Sequence, residues 1–355
     1  MQKTLQKQAS TLPSGLRPAL AGSCILGAFF GSVIEAATII PEKGGFGGYI
    51  NLGAGVLSAK TNMIASIAGG NIDLSDNRID TLHDAPDYET SAIPAFSFEL
   101  SYTFAENKTQ VYLGNLLQDY LDFDVFTQIG IRQGLGKAGI IGVAALAAPT
   151  PTEVWRDPYV SGRKRQATDR SSLGYRLRWE RIMDTGLEVR YTTYDIDLDD
   201  DHSGLALNLD ISDRKRLARE GDNKRLDVSY EFSLDKGRNT ITPGIAYIDN
   251  DLDGDAMANN GYIVYANYIY MPGNRWRWVF NASYSALDFD HSNPVYGRRD
   301  DADRYGVSIS TFYTQPFGLN DWALNISAGY YKEDHKLNFY DATVGSLSIG
   351  MFRTF

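Results

Sequence analysis

Apolar and polar residues alternate with a period of two along most of the chain from residue 46 onward. In the clearest segment, every second residue from Phe96 to Phe104 is aromatic or leucine, and polar residues stand between them. Alternation of this kind indicates β-strands with one apolar and one polar face. The segments have roughly 10–13 residues, enough for a tilted strand that crosses the membrane, which requires about 9 to 11.

About 14 such segments follow one another along the chain. Their expected spans are 46–57, 95–105, 108–118, 122–133, 138–148, 171–182, 186–197, 223–234, 239–249, 261–271, 275–287, 304–316, 321–333 and 344–355.

The links between these segments are of two kinds that alternate. Every second link is short and turn-like: 105–108, 134–137, 183–186, 235–238, 272–274 and 317–320. The intervening links are mostly long and charged: 58–94, 149–170, 198–222, 250–260, 288–303 and 334–343, with 119–121 as the short exception. Short periplasmic turns that alternate with longer extracellular loops are typical of outer-membrane barrels. The sequence therefore predicts an all-β fold, a transmembrane antiparallel up-and-down β-barrel of about 14 strands.

A soluble β-sandwich or lipocalin-like barrel would also show alternation. The long segments, the Trp and Tyr residues at segment ends and the terminal Phe355 favour the membrane barrel. Phe355 closes an alternating run and is expected to lie in the periplasmic aromatic girdle as a C-terminal assembly signal.

The N-terminus has the pattern of a secretory signal peptide. Basic residues precede an apolar core from Ala19 to Ile34, with Ala36 and Ala37 at the expected processing site. Cys24, the only cysteine, lies in that core and is either a small core residue or a lipoprotein anchor. The expected organisation is a cleaved signal peptide at 1–36, a periplasmic segment at 37–45 and a barrel at 46–355.

The composition agrees with this location. Loss of residues 1–36 would change the formal net charge from −10 to −12, which disfavours nucleic acid as a partner. The chain contains 22 Tyr and 34 Gly, which suit interface girdles and tight turns.

The polar faces of the strands predict the lining of the lumen. The charged residues on these faces are Glu99, Arg132, Arg176, Arg178, Glu180, Glu188, Arg190, Asp227, Glu231, Arg275 and Arg277. An arginine-bearing wall opposite carboxylates would create a transverse field and favour small hydrophilic or anionic solutes. In the alternative, these charges pair and fill a closed lumen. A barrel of about 14 strands is too wide for side chains alone to fill, which favours a water-filled path.

An acidic loop resembles the opening of a calcium-binding loop. Asp249, Asp251, Asp253 and Asp255 alternate as in D-x-D-x-D-G, but Asn260 stands at the twelfth position, where a bidentate Glu is needed. Either these carboxylates hold a divalent cation such as Ca²⁺ or they form a solvated acidic loop. No other cofactor is expected.

Two basic runs and a proline-rich stretch also lie in the predicted loops. The basic runs 163–165 and 298–299 could bind lipopolysaccharide phosphates or pair with neighbouring Asp residues. The stretch 150–158 is too rich in proline for a strand and could fold into the barrel mouth.

Catalysis is not predicted. All four histidines fall in predicted loops: His83, His202, His291 and His335. Asp residues beside them resemble the surface groups of outer-membrane proteases, but in acidic loops such pairs arise by chance. We therefore do not expect the protein to be an enzyme.

Three stretches carry a family resemblance: 40–50, 150–162 and 247–257. Each stretch resembles a family of uncharacterised outer-membrane proteins of Gram-negative bacteria that is described as a domain of unknown function. The resemblance extends over nearly all of the mature chain. The resemblance implies an outer-membrane barrel and no established binding residues.

The sequence thus favours a porin-like passive channel for small hydrophilic solutes. The alternative is a non-conducting surface protein that binds lipopolysaccharide, a partner protein or a divalent cation through its loops. A fatty-acid-type transporter would need an N-terminal plug, for which residues 37–45 are too few. Expected partners are outer-membrane lipid and lipopolysaccharide, small solutes, and the barrel-assembly machinery with periplasmic chaperones during biogenesis.

Overall fold

A computed structural model describes residues 40–119 and 123–355. The expected signal peptide at 1–36, with Cys24, lies outside the described residues, as do 37–39 of the expected periplasmic segment. These expectations remain predictions.

Among the described residues, fourteen strands form the barrel. They are β1 (Gly45–Lys60), β2 (Tyr88–Phe104), β3 (Thr109–Asp119), β4 (Asp124–Gly134), β5 (Ile140–Ala147), β6 (Ala167–Glu180), β7 (Leu187–Leu198), β8 (Gly221–Tyr230), β9 (Asn239–Leu252), β10 (Asn259–Tyr270), β11 (Trp276–Asn293), β12 (Arg298–Thr314), β13 (Trp322–His335) and β14 (Ala342–Thr354). A short strand, Phe232–Leu234, continues β8 beyond Glu231.

Each strand pairs antiparallel with the next, and the last pairs with the first. β1 pairs with β14 from Tyr49 opposite Thr354 to Lys60 opposite Thr343. Beyond β14, the Phe355 N–H donates to the Gly48 carbonyl (3.1 Å), and the Gly48 N–H donates to the Phe355 carbonyl (3.0 Å). The sheet is therefore a closed ring without free edges, as the alternation predicted. The role of Phe355 in assembly remains a prediction.

The outer face of the ring is apolar. Leu173, Tyr262 and Val307 expose 67%, 64% and 55% of their surface on this face. Toward the ends of β10 and β11 near the short turns, aromatic rings stack, for example Trp276 on Trp278 with ring centroids 5.7 Å apart. An apolar band bordered by aromatic residues is the surface that a bilayer solvates. Within the described residues, no helix is long and apolar enough to span a membrane.

The two kinds of link are confirmed at the ends of the strands. Single 3₁₀ turns join strands at the periplasmic end: Ala105–Asn107, Gly136–Ala138, Ile182–Asp184, Asp235–Gly237 and Pro316–Gly318. The loops at the opposite end are longer and contain structure of their own. One carries the short helix Ile211–Lys215, which begins where the Asp210 side chain accepts from the Asp213 N–H.

Several strands extend beyond the predicted spans at the loop end. β2 begins at Tyr88 instead of residue 95, and β12 begins at Arg298 instead of residue 304. The outward face of these parts is not a continuous apolar one: β12 carries Arg299, Asp301 and Asp303 there, and β2 carries Thr90 and Pro94. Hydrophobic alternation therefore does not mark these parts.

The loops also contain short strands that the sequence did not predict. Ile64–Ile67 pairs with Ile72–Asp73 and with Thr152–Trp155, which pairs in turn with β6. The expectation that 150–158 cannot form a strand is wrong for Thr152–Trp155. Pro151 and Pro158 flank this segment and leave its own N–H groups free to pair.

The seam between β1 and β14 predicts a sensitive position. A Cβ atom at Gly53 would lie 2.2 Å from the Ile349 carbonyl oxygen, so Gly53→Ala must displace the seam backbone. We expect a loss of about 1–3 kcal/mol in the free energy of unfolding, measured by urea titration of the refolded protein. Gly345→Ala is the matched control, because its Cβ would lie 3.9 Å from the nearest atom. Equal stability of the two variants would contradict this account of the seam.

Candidate pore

Strand alternation directs the charges of β6 into the barrel. Leu173, Tyr175, Leu177 and Trp179 are exposed on the outer face, whereas Arg176, Arg178 and Glu180 on the opposite face are buried. Arg176 and Glu180 each expose only 1% of their surface. These side chains lie inside the barrel as predicted, but other residues cover them.

A first charge cluster joins β2, β3 and β4. The Arg132 guanidinium donates to both carboxylate oxygens of Glu99, each at 3.0 Å, and to the Gln110 side-chain oxygen at 3.0 Å. Its carbon Cζ lies 3.7 Å from the centroid of the Tyr112 ring. Two-pronged pairing and cation–π stacking together hold Arg132 in one orientation.

A second charge cluster continues the same wall across β6, β7 and β8. Asp227 accepts from Arg225 (2.8 Å) and lies 3.6 Å from an Arg190 nitrogen. Arg176 Nε donates to the Thr192 hydroxyl (2.9 Å), and Arg178 lies 3.8 Å from Glu180.

Gly142 of β5 separates the two clusters. A Cβ atom there would lie 3.7 Å from both Arg132 and Arg178, so the two arginines approach each other over a residue without a side chain. We call the inward side chains of β2 to β8 at this level the charged wall.

The opposite part of the interior is neutral and polar. The Ser327 hydroxyl donates to Ser310 (2.8 Å), and the Asn281 amide donates to Ser308 (2.9 Å). The Asn51 and Asn325 side chains meet at 3.5 Å across β1 and β13. At the level of the charged wall, these inward side chains of β1 and β11 to β14 form the neutral wall, and the charged pair Arg304–Glu333 lies nearer the loops.

Two of the predicted lining residues do not belong to the charged wall. Arg275 lies in the turn before β11, and Arg277 lies one residue inside the strand, so both are exposed at the periplasmic end. Neither forms an ion pair within the described part of the chain. The structure therefore does not bring Arg275 and Arg277 together with the other predicted lining residues, because both stand at the turn end of β11.

The remaining predicted residues face inward. Glu188 and Glu231 are half-buried beside the charged wall. Arg225 and the Arg304–Glu333 pair (2.9 Å) also face inward and were missed. Their positions in the alternation were visible in the sequence: Arg225 stands two residues from Asp227, and Glu333 stands at an inward position of β13.

Loops cover the extracellular mouth. The hairpin of Ile64–Ile67 and Ile72–Asp73 packs its apolar residues against inward-facing Leu57, Ile93 and Val344 of the barrel. This hairpin occupies the upper part of the interior between β1, β2, β4 and β14.

Above the hairpin, apolar residues of every long loop meet in one cluster. Its buried members are Tyr159, Leu217, Ala256, Leu337, Phe339 and Tyr340. The Tyr159 hydroxyl bonds the Tyr340 hydroxyl (2.5 Å), and burial is the main cause that raises the pKa of Tyr159 to about 12. We call this loop assembly the dome. It differs from a set of solvated loops because its residues pack as a core.

The acidic loop does not form a cation site. Among residues 40–119 and 123–355, no group of three or more His, Cys, Asp or Glu side chains is placed to hold a metal ion. Asp249 and Asp251 alternate on the outer face of β9, where Lys224 pairs with Asp251 (2.8 Å), while Asp255 pairs with Arg216 (3.1 Å). The calcium interpretation is therefore corrected: Asp249 and Asp251 face outward on the strand, and Lys224 and Arg216 pair with Asp251 and Asp255.

The basic loop runs are held by the protein itself. The Arg165 guanidinium lies over the Trp155 ring at 4.3 Å and donates to the Asn62 carbonyl (3.0 Å). Burial lowers its pKa to about 10. Arg299 lies 3.3 Å from Asp301, and Arg298 donates to the Lys336 carbonyl. Arg299 thus pairs with a neighbouring Asp, as the second interpretation expected, whereas Arg165 and Arg298 donate to backbone carbonyls.

Two histidines lie in strands rather than loops. His291 belongs to β11 and His335 ends β13, because both strands extend above the bilayer. His335 faces inward between Asp300 and Glu333, at 2.8 and 3.1 Å, whereas His291 is exposed.

A closed 14-stranded barrel with an apolar outer face and a polar interior defines the class of outer-membrane β-barrel proteins. A family model described as "Protein of unknown function (DUF2860)" matches residues 45–352, so the chain belongs to that family. No curated protein matches the chain.

Solved barrels are similar over most of their length. A FadL homologue of Pseudomonas aeruginosa is 11% identical, over 88% of this chain and 90% of that chain, with a TM-score of 0.44. The CymD monoaromatic hydrocarbon channel is 11% identical over 95% and 98%, with a TM-score of 0.45. An anion-selective porin from Comamonas acidovorans is 6% identical over 88% and 100%, with a TM-score of 0.38.

The pairing of half-buried Glu99 with buried Arg132 predicts a strong effect on stability. Glu99→Gln keeps the shape of the side chain but leaves the Arg132 charge without its carboxylate, so we expect a loss of about 2–4 kcal/mol in unfolding free energy. Arg277→Gln, at an exposed position without an ion pair in the described chain, should change it by less than about 0.5 kcal/mol. Urea unfolding of both refolded variants tests this, and a neutral Glu99→Gln would contradict this account of the pair.

Proposed function

We propose that the protein is a gated passive channel of the bacterial outer membrane for small hydrophilic solutes. The observation that carries the proposal is the division of the interior into a charged wall on β2 to β8 and a neutral wall on β1 and β11 to β14. Both walls present hydrogen-bonding groups to the space between them, and such groups can replace the hydration of a polar solute.

The size of the barrel supports a solute path. About eight strands enclose an interior that side chains just fill, and the interior widens roughly in proportion to strand number. With fourteen strands, the two walls leave a central region that side chains from the strands do not fill by themselves. The hairpin of Ile64–Ile67 and Ile72–Asp73 accounts for the upper part of that region. Below it, the polar walls favour water.

The charges support a weak preference for anions. Glu99 is matched by Arg132, whereas Asp227 lies between Arg190 and Arg225, which gives a local excess of positive charge. Paired charges produce a smaller selectivity than a ring of one sign would produce. We therefore propose passage of neutral solutes and small anions ahead of cations.

The dome makes the channel a gated one. Its packed core covers the mouth, so solute passage requires that part of the dome moves. No catalytic role is proposed.

The same dome favours a second candidate, a non-conducting surface protein. Loops that fold into one packed unit present a fixed extracellular surface, which could bind lipopolysaccharide or a partner protein. The two candidates differ in one property, because only the channel conducts ions.

Opposite substitutions at the charged wall test the channel. In planar bilayers, Arg225→Gln should lower the anion-to-cation permeability ratio and Asp227→Asn should raise it, each by roughly twofold, because each removes one charge of the wall. Reversal potentials in a salt gradient measure the ratio, after heat-shifted gel mobility has shown that each variant is folded.

Arg277→Gln serves as the control, since this residue stands at the periplasmic rim and not in the charged wall. Shifts of the same sign for Arg225→Gln and Asp227→Asn would remove Asp227 and its partners from the solute path. Folded protein that never conducts would favour the surface-binding candidate.

A further inference from the structure

The segment 336–341 connects β13 to β14 and crosses the top of the barrel. Leu337 and Phe339 are each 1% exposed and belong to the core of the dome, where Phe339 stacks on Tyr159 with ring centroids 5.5 Å apart. The Tyr340 hydroxyl accepts from the Asn293 amide (2.6 Å), which ties the segment to the end of β11. We call residues 336–341 the strap.

The strap is held at its base by one buried carboxylate. Asp300 Oδ1 accepts from the Leu337 N–H (3.0 Å), and Asp300 Oδ2 lies 2.8 Å from His335 Nδ1. On the other side of the imidazole, Nε2 lies 3.1 Å from Glu333 Oε1. The backbone N–H of His335 also donates to the Asp341 carboxylate (2.9 Å). Both ends of the strap therefore meet at His335.

His335 lies above the bilayer-spanning part of β13. Outward-facing Tyr330 is the last exposed aromatic residue of the strand, and Lys332 and Asp334 follow it on the same face. The cluster is therefore part of the dome and not of the membrane-embedded wall.

An imidazolium at this position stands between two carboxylates. Titratable or charged groups surround it on each packed element: Asp300 and Arg304 from β12, Glu333 from β13, Tyr340 and Asp341 from the strap, with Tyr159 and Tyr296 beyond Tyr340. From β11 the neutral Phe289 ring packs against the His335 imidazole, with ring centroids 5.8 Å apart. Arg304 pairs with Glu333. If His335 were neutral, the Arg304 guanidinium would be the one cation beside the two neighbouring carboxylates of Asp300 and Glu333.

The pKa of His335 agrees with this geometry. Burial alone would lower it, but Glu333 and Asp300 overcome burial and raise it to about 9. Because the pKa is higher in the folded state than the ordinary value of about 6.5, the protonated form stabilises the cluster. This stabilisation is complete below about pH 6.5 and is lost as the pH rises through about 9.

We propose that the strap is the releasable part of the dome, locked over the mouth by the His335 imidazolium between Asp300 and Glu333. Loss of this cation frees the strap, exposes the core around Phe339 and opens the mouth. As a gate, the strap rests on the proposed channel function; as a lock, it can be measured without conduction.

His335→Gln tests the lock, because glutamine keeps hydrogen-bonding groups but has no charge. His291→Gln is the matched control, since His291 is exposed and lies 3.7 Å from Asp255. Amide hydrogen exchange of residues 336–341 in the refolded full chain is followed at pH 7. We expect exchange at least about tenfold faster than wild type in His335→Gln, and unchanged exchange in His291→Gln.

Single-channel recording from pH 6 to pH 10 tests the gate on the same samples. Wild type should show open time that increases as the pH passes about 9, and His335→Gln should show a high open time throughout. Asp300→Asn should shift the wild-type midpoint down by about one pH unit, because the imidazolium loses a charged partner.

The outcomes separate the two proposals. Strap exchange in His335→Gln that equals wild type overturns the lock. Faster exchange without a change in open time overturns the strap as the gate while a conducting wild type upholds the channel. Faster exchange in protein that never conducts at any pH supports the lock, overturns the gate and refutes the proposed function.

Discussion

The pairing of β1 with β14 is the interaction on which the other features depend. A bilayer offers no hydrogen bonds to an open sheet edge, so an unclosed sheet of these strands would leave a row of N–H and C=O groups unsatisfied in lipid. Closure removes both edges at once. It also gives every strand one face toward the lumen and one face toward lipid. Successive residues of a strand therefore face the lumen and lipid in turn, which is why the sequence alternates with a period of two.

Closure of the ring also determines the desolvation free energy of the charged side chains inside it. An arginine inside the ring is removed from bulk water, so its charge must be met by carboxylates, hydroxyls or rings of neighbouring strands. Arg132 is met by Glu99 and Gln110 and by the face of Tyr112. The interior is therefore an ordered network, and small changes in it should alter both stability and the field that a solute meets.

Strand number, the direction of each face and the alternation of short turns with long loops were predictable, because each follows from local patterns. The inward positions of Arg176 and Arg178 followed from the same period. Ion-pair partners did not, because Glu99 and Arg132 meet through the register of β2, β3 and β4 and not through sequence proximity. The dome was also hidden, since residues as distant as Tyr159 and Tyr340 pack only after the strands have placed their loops together.

If polar solutes pass through this barrel, proteoliposome swelling should measure that passage. Refolded wild-type protein is reconstituted, and swelling is followed in neutral sugars of increasing size at pH 7 and pH 10, with protein-free liposomes as control. We expect swelling that is faster at pH 10 than at pH 7 and that slows as the sugar becomes larger. Swelling no faster than the control at either pH, from protein shown to be folded, would contradict this expectation.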